Sequence, residues 1–148
     1  MLRYVFDTNI FRYAHGDVGF RQRVEAYSPL AYSSVVLSEL RRSAANDAAR
    51  RRIAEIEKKA TKATVLVVPS HQDWLHTGDF LATKVSRGGA VSSELLAYIQ
   101  KLQNDALIAF SCWSRGFAVV TSNRDDFEDL RTFWGVAKNR LLVEPAPT

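Results

Sequence analysis

Five acidic side chains, on four separate stretches of the chain, stand where they could do chemistry together. Asp7 directly follows the apolar run Leu2–Phe6. Glu39 falls in the first turn or two of a helical pattern that opens near Ser34–Ser38. Asp105 is the only acid after Glu94 in Ala90–Ser114, a long stretch rich in apolar residues. Asp125 and Asp126 lie just beyond Thr121, Ser122 and Asn123, where the run Phe117–Thr121 ends. An isolated acid inside an apolar helical stretch costs stability unless it is paired, so Asp105 is the strongest single signal. Carboxylates a few ångströms apart raise one another's pKa and cannot all ionise unaided. A divalent cation resolves that conflict, and an all-oxygen ligand set selects a hard ion, Mg²⁺ or Mn²⁺. Such an ion polarises a phosphoryl oxygen and acidifies a bound water.

The elements that must bring these acids together follow from the apolar patterning. Strand-like and helix-like segments alternate, which predicts an α/β fold around a mostly parallel sheet. Leu2–Phe6 reads as the first strand, Asp7-Thr8-Asn9 as helix-capping residues, and Ile10, Phe11 and Tyr13 as a short helix. Tyr32–Val36 reads as a second strand or a strand-to-helix turn. Ala49, Ile53, Ile56, Ala60 and Ala63 recur at helical spacing and predict an amphipathic helix over Asn46–Ala63. Val65–Val68 is a strand stopped by Pro69. His71–Val85 is a helix with Trp74, Leu81 and Val85 on one stripe, broken by Ser86-Arg87-Gly88-Gly89. Ala90–Ser114 is a long helix with Leu95, Ile99, Leu102, Ala106, Ala109 and Trp113 inward, ended by Gly116. Phe117–Thr121 is a strand, Asp126–Arg131 a short helix and Arg140–Val143 a last strand. In an open parallel sheet, ligands bind outside the carboxyl ends of the strands, which is where the acids gather.

The chain's 148 residues predict one domain, 1–148, with the proline-containing tail 144–148 frayed. Apolar residues at 47% and charged residues at 24% exclude a disordered, collagen-like or coiled-coil chain. No apolar run approaches ~18 residues, so no membrane-spanning helix is expected. The run before Asp7 is too short for a signal-peptide core. A single cysteine, Cys112, precludes an internal disulfide and points to a reducing cytoplasm. The net charge is +4. Setting Asp7, Glu39, Asp105 and Asp126 aside in one pocket leaves twenty basic against twelve acidic residues, a surface of +8. A basic rim around an acidic metal pocket suits a phosphodiester substrate.

Blander roles stand beside these. Asp7 is also a good helix N-cap, and Glu39, Asp125 and Asp126 also suit helix starts. The run Arg50-Arg51-Arg52, with Arg41 and Arg42 before it and Lys58, Lys59 and Lys62 after, reads as a solvated helix face. Trp74, Trp113 and Trp134 read as core or dimer-interface residues, and Cys112 as an inert small hydrophobe. His71 and His76 are five apart and do not share a helical face well.

Four motifs, YVFDTNIF, VVLSEL, QNDALIAFSC and VVTSNRDDF, occur in that order over residues 4–127. Together they resemble the PIN-domain family of metal-dependent ribonucleases, most closely the small VapC-like toxins of type II toxin–antitoxin systems. The resemblance implies a three-layer α/β/α sandwich with a central, mostly parallel sheet. It implies an endoribonuclease dependent on Mg²⁺ or Mn²⁺, with tRNA the commonest target class and a 5′-phosphate product. The family's first, second and third acids fall on Asp7, Glu39 and Asp105. Asn9 matches the polar residue that helps hold the site, and Thr121 the hydroxyl residue that opens the last motif. A cognate antitoxin occluding the acidic pocket, and a homodimer, are implied as well.

One position departs from the pattern. Many family members carry an Asp two residues after the threonine, where this chain has Asn123. The fourth acid role therefore passes to Asp126, with Asn123 as a neutral oxygen ligand or water-holder. The departure bears on a second metal site more than on the first. It also motivates a rival: a catalytically weak or inactive PIN module that binds RNA or a protein partner. A phosphatase with an Asp nucleophile is poorly supported, because Asn9 stands where a second Asp would act as acid/base.

Overall fold

A computed structural model describes residues 1–62, 65–85 and 92–148. Its strands are β1 (Tyr4–Phe6), β2 (Leu30–Ser33), β3 (Leu66–Val67), β4 (Ala118–Thr121) and β5 (Leu141–Val143). They form one sheet in the order β3-β2-β1-β4-β5, and every pairing is parallel. The helices among the described residues are α1 (Thr8–Gly16), α2 (Val18–Val24), α3 (Ser34–Arg42), α4 (Asp47–Lys62), α5 (His71–Ala82), α6 (Ser93–Trp113) and α7 (Arg124–Trp134).

Strand alternation divides the apolar side chains into two cores. Phe6 and Val120 pack with Ile10 of α1 and with Phe20 and Val24 of α2. Val5 and Val119 face the opposite way and join α3 to α7 through Val36, Leu40, Ile53, Phe80, Ile108, Phe127 and Leu130. The result is the expected α/β/α sandwich. β4 is buried along its whole length, which is why FAVVT shows no polar alternation.

The strand and helix limits differ from the patterning in instructive ways. β2 begins earlier than read, and Val35 and Val36 already belong to α3, because Ser33 caps that helix through the amide of Val36. The helix α2 escapes the patterning altogether; Asp17 caps it at the amide of Phe20 (2.7 Å) and it buries only Phe20 and Val24. The helix predicted over His71–Val85 ends at Ala82, and of its predicted stripe Trp74, Leu81 and Val85, Leu81 alone packs against the core. Trp74 and Val85 are exposed, and the buried side chains are Asp73, Thr77 and Phe80. A capping box between Ser70 and Asp73 starts α5 in that orientation, and Phe80 packs edge-on to Phe110 and Phe133.

The stripe predicted for α6 is borne out from Leu102 to Trp113, while Leu95 and Ile99 are half-buried. α7 is longer at both ends than the expected short helix, and Gly135 (φ 81°) ends it. Glu144, read as the start of a frayed tail, is held by the Tyr27 hydroxyl at 2.5 Å, while its amide donates to the Thr121 carbonyl. The predicted Ser86–Gly89 break, and the ends of two predicted helices at Ala63 and Ala90, lie outside the described residues.

Candidate functional site

Sheet register assembles the first half of the site. β1 and β4 pair with Phe6 opposite Val120. The next residues, Asp7 and Thr121, therefore emerge side by side from the carboxyl edge. The Asp7 amide donates to the Val120 carbonyl (2.9 Å), and the Thr121 hydroxyl donates to Asp7 Oδ2 (2.9 Å). Asp7 also caps α1, its Oδ1 accepting from the Thr8 amide at 2.7 Å. Capping and site geometry are thus one arrangement, so the cap role and the site role for Asp7 do not compete.

Next door, β2 runs parallel to β1 and hands the chain to α3. Glu39 sits in the second turn of that helix, where its Oε1 accepts from the Thr8 hydroxyl at 2.8 Å. Thr8 thereby links the first and second acids.

Asp105 comes from behind the sheet. Gly116, at φ 76°, reverses the chain between α6 and β4. Asp105 stands a little over two turns before the end of α6, roughly 12 Å of helix. A four-residue strand such as β4 is roughly 13 Å long. The lengths match, which brings Asp105 level with the carboxyl edge. It is only 7% exposed, and among the described residues its Oδ2 has no hydrogen-bond partner. Burial of Leu102, Ala106, Ile108, Ala109 and Phe110 around it holds the helix in place. At ~1.5–3 kcal/mol for each large apolar side chain, that burial offsets one poorly solvated carboxyl.

The fourth position is built differently. Asn123 caps no backbone amide with its side chain. Its Nδ2 donates instead to Asp126 Oδ2 (2.9 Å), and its backbone amide donates to Thr121 Oγ1 (3.0 Å). Because Thr121 Oγ1 accepts from Asn123, its own proton is directed at Asp7. Lys101, one turn before Asp105 on α6, places its ammonium 3.5 Å from Asp126 Oδ2.

Charge follows this geometry. Burial pushes Asp7 up to about 6; the charge of Glu39 adds to the rise, while bonds from Thr121 and Thr8 oppose it. Asp105 is pushed up to about 8, first by burial and then by the charges of Asp7, Glu39 and Asp126, with Lys101 opposing. The acids therefore sense one another as a cluster. Near neutral pH, Asp105 holds a proton that a bound cation would have to displace.

All four predicted acids reach this edge. Among the described residues, no three acid, histidine or cysteine side chains stand close enough to ligate one ion in their present rotamers. Glu39 is turned to Thr8, and Asp126 to Asn123 and Lys101. Asn9 bonds Arg12 (3.3 Å) rather than an acid, and Asp125 is exposed. Sequence reasoning missed Thr8 and Lys101. Thr8 stood inside the DTN triplet, and the four-residue spacing of Lys101 from Asp105 was legible too.

The family model described as PIN domain matches residues 4–132. The chain belongs to the PIN-domain family. No curated protein matches it. Among solved structures, it is similar to the DNA-bound VapBC from Salmonella typhimurium, with 27% identity, a TM-score of 0.58 and 98% of each chain covered. It shares its fold with VapBC-1 from nontypeable Haemophilus influenzae (21% identity, TM-score 0.63, covering 97% of this chain and 98% of that one). The same holds for VapBC2 from Rickettsia felis bound to a promoter DNA fragment (18%, 0.61, 99% and 100%). Within this PIN domain, the four acids lie at the carboxyl edge of β1, β2 and β4, where an open parallel sheet binds its ligand.

Proposed function

We propose that this chain is a divalent-metal-dependent endoribonuclease acting on tRNA-class RNA, and the toxin of a toxin–antitoxin pair. The observation that carries the reading is Asp105: a buried carboxyl whose Oδ2 has no partner among the described residues, facing the charges of three other acids. A buried polar atom without a partner calls for a ligand or a cation, and an oxygen-only donor set suits Mg²⁺ or Mn²⁺.

Asp7, Asp105 and Glu39 would hold the cation, with Asp126 supporting it. When bound, it supplies Lewis-acid polarisation of a phosphoryl oxygen and an acidified water for in-line attack. The chain's own groups do the positioning. Thr121 fixes Asp7, and Thr8 holds Glu39, which completes the cage or takes a proton from the attacking water. Asn123 holds Asp126 through its amide. Lys101, at the mouth, offers a cation to the substrate phosphate. Departure of the 3′-oxygen leaves a 5′-phosphate.

An antitoxin partner is supported by the likeness to VapBC assemblies. Exposed Leu96, Tyr98 and Phe133 offer apolar surface for a homodimer. Among the described residues no helix is long and apolar enough to cross a membrane. A cytoplasmic site of action suits the buried, unpaired Cys112.

A second reading, a PIN module that binds RNA or protein without cutting, is favoured by one observation. Asp126 is already engaged by Asn123 and Lys101. Incubation of total tRNA with the protein, in Mn²⁺, in Mg²⁺ and in EDTA, separates the two. Discrete fragments that require metal and vanish with Asp105→Asn are expected. RNA binding without fragments would establish the binding module instead.

A further inference from the structure

Beside the acids, α3 and α6 enclose a cleft of about 430 Å³. Glu39 and Arg42 line it from α3. Gln100, Gln103 and Asn104 line it from α6, and Trp74 of α5 completes it. That volume lies within the ~300–1,000 Å³ typical of small-molecule sites. Because Glu39 belongs to both, the cleft is continuous with the acidic site.

Its lining has a particular chemistry. Gln100, Gln103 and Asn104 share one helical face at spacings of three and four. Asn104 precedes Asp105 directly, so amide readers and acid sit on adjacent stripes of one helix. Each side-chain amide carries both a donor and an acceptor, the complement of a nucleobase edge. Trp74 is 50% exposed. Among the described residues, Trp113 and Trp134 pack against Phe110, whereas the Trp74 indole lies open in the cleft. An exposed ring beside basic and amide groups is a stacking platform for unpaired bases. Arg42 is exposed on the α3 wall of the cleft and suits a backbone phosphate. Val35, Val68, Pro69 and Leu107 also line the cleft, apolar surface against which the flat face of a base can lie.

We infer that this cleft receives an unpaired nucleotide of the RNA flanking the scissile bond. Its base stacks on Trp74, its edge is read by Gln103 and Asn104, and its phosphate is held by Arg42. The inference rests on the ribonuclease reading and adds the residues that select the cut site. It also revises the sequence-based view of Trp74 as a core or interface residue.

The test uses the full chain with four homopolymeric hexaribonucleotides in EDTA, followed by tryptophan fluorescence, and tRNA cleavage in Mn²⁺. Saturable quenching with a preference for one base is expected. Trp74→Ala should abolish the quenching, weaken binding by about 5- to 100-fold and raise KM with little change in kcat. Trp74→Phe should retain most of the affinity, and Gln103→Ala should flatten the preference among bases. Unchanged KM and cut sites in Trp74→Ala, with wild-type cleavage intact, would overturn the inference and leave the nuclease reading standing. A lower sedimentation mass for Trp74→Ala, with RNA affinity unchanged, would assign the indole to a contact between copies and equally overturn it. Wild-type protein that neither binds nor cleaves RNA would remove the ribonuclease reading itself.

Discussion

Asp105 and Asp126 approach the same edge of the sheet from neighbouring helices, α6 and α7, that share one core, yet their surroundings could hardly differ more. Asp105 is buried in the apolar half of α6, and among the described residues its Oδ2 has no partner. Asp126 lies half-buried in the first turn of α7, with an amide donor and an ammonium on the same oxygen. The protein has compensated one carboxyl with its own groups and left the other to be compensated from outside. This contrast suggests that Asp105 anchors the cation and that Asp126 tunes the rim. Asn123 serves both acids with different groups: its side-chain amide donates to Asp126, and its backbone amide donates to Thr121 Oγ1, whose hydroxyl donates to Asp7.

The sharpest way to break the comparison is Asp105→Asn. Cleavage should fall by on the order of 10³-fold, the loss of several kcal/mol of transition-state stabilisation. The metal-free variant should nevertheless melt higher than wild type at pH 8. The sign follows from linkage. Folded Asp105 titrates at about 8, against ~3.9 for a free Asp. Between those values the folded state holds the extra proton, so the metal-free protein loses stability as pH rises. A neutral amide escapes that loss, and each ~1 kcal/mol recovered raises Tm by roughly 2–4 °C. A lower melting temperature at pH 8 would contradict the burial argument.

Metal affinity should change next most. Asp7 and Asp105 titrate near 6 and 8, and a cation competes with their protons. Mn²⁺ affinity should therefore rise by up to about 100-fold from pH 6 to pH 8, read by calorimetry as proton release. A pH-independent affinity would exclude Asp105 as a ligand. Thr121→Val then tests the tether on Asp7. Removing the hydroxyl that orients the Asp7 carboxylate should reduce metal affinity or activity by about 10- to 100-fold. Lys101→Met should have the smallest effect, because an ion pair to a side chain this exposed contributes no more than ~1 kcal/mol. A loss under about 5-fold in kcat/KM, shrinking further in high salt, is expected. A loss as large as that of Asp105→Asn would make Lys101 a principal catalytic group and erase the distinction between the two acids.

Much of this site was legible before any coordinates. Asp7 was marked by its place after a strand, and Asp105 by being the only acid in the apolar half of a helix. The order of the four motifs carried the family, because each motif is a local pattern in a local element. The misreadings were not local. Trp74, Leu81 and Val85 share a stripe over the predicted helix, yet α5 ends at Ala82, and the capping box and the packing of Phe80 on Phe110 turn Asp73, Thr77 and Phe80 inward with Leu81 beside them. α2 buries only two side chains, too few for a periodic signal.

The sequence by itself determined which residue types were available, which elements would carry them and toward which end of the sheet they would point. Only the tertiary structure decided their partners. Thr121 meets Asp7 across 114 residues because β1 and β4 pair in one register, and a one-residue slip of β4 would turn Thr121 to the other face, away from Asp7. Among the described residues Asp105 Oδ2 is left without a partner, and Asp126 Oδ2 is not, because α6 buries one stripe and leaves Lys101 on its rim. Register and burial are properties of the packed chain, set by contacts between residues far apart in sequence, and no local pattern contains them.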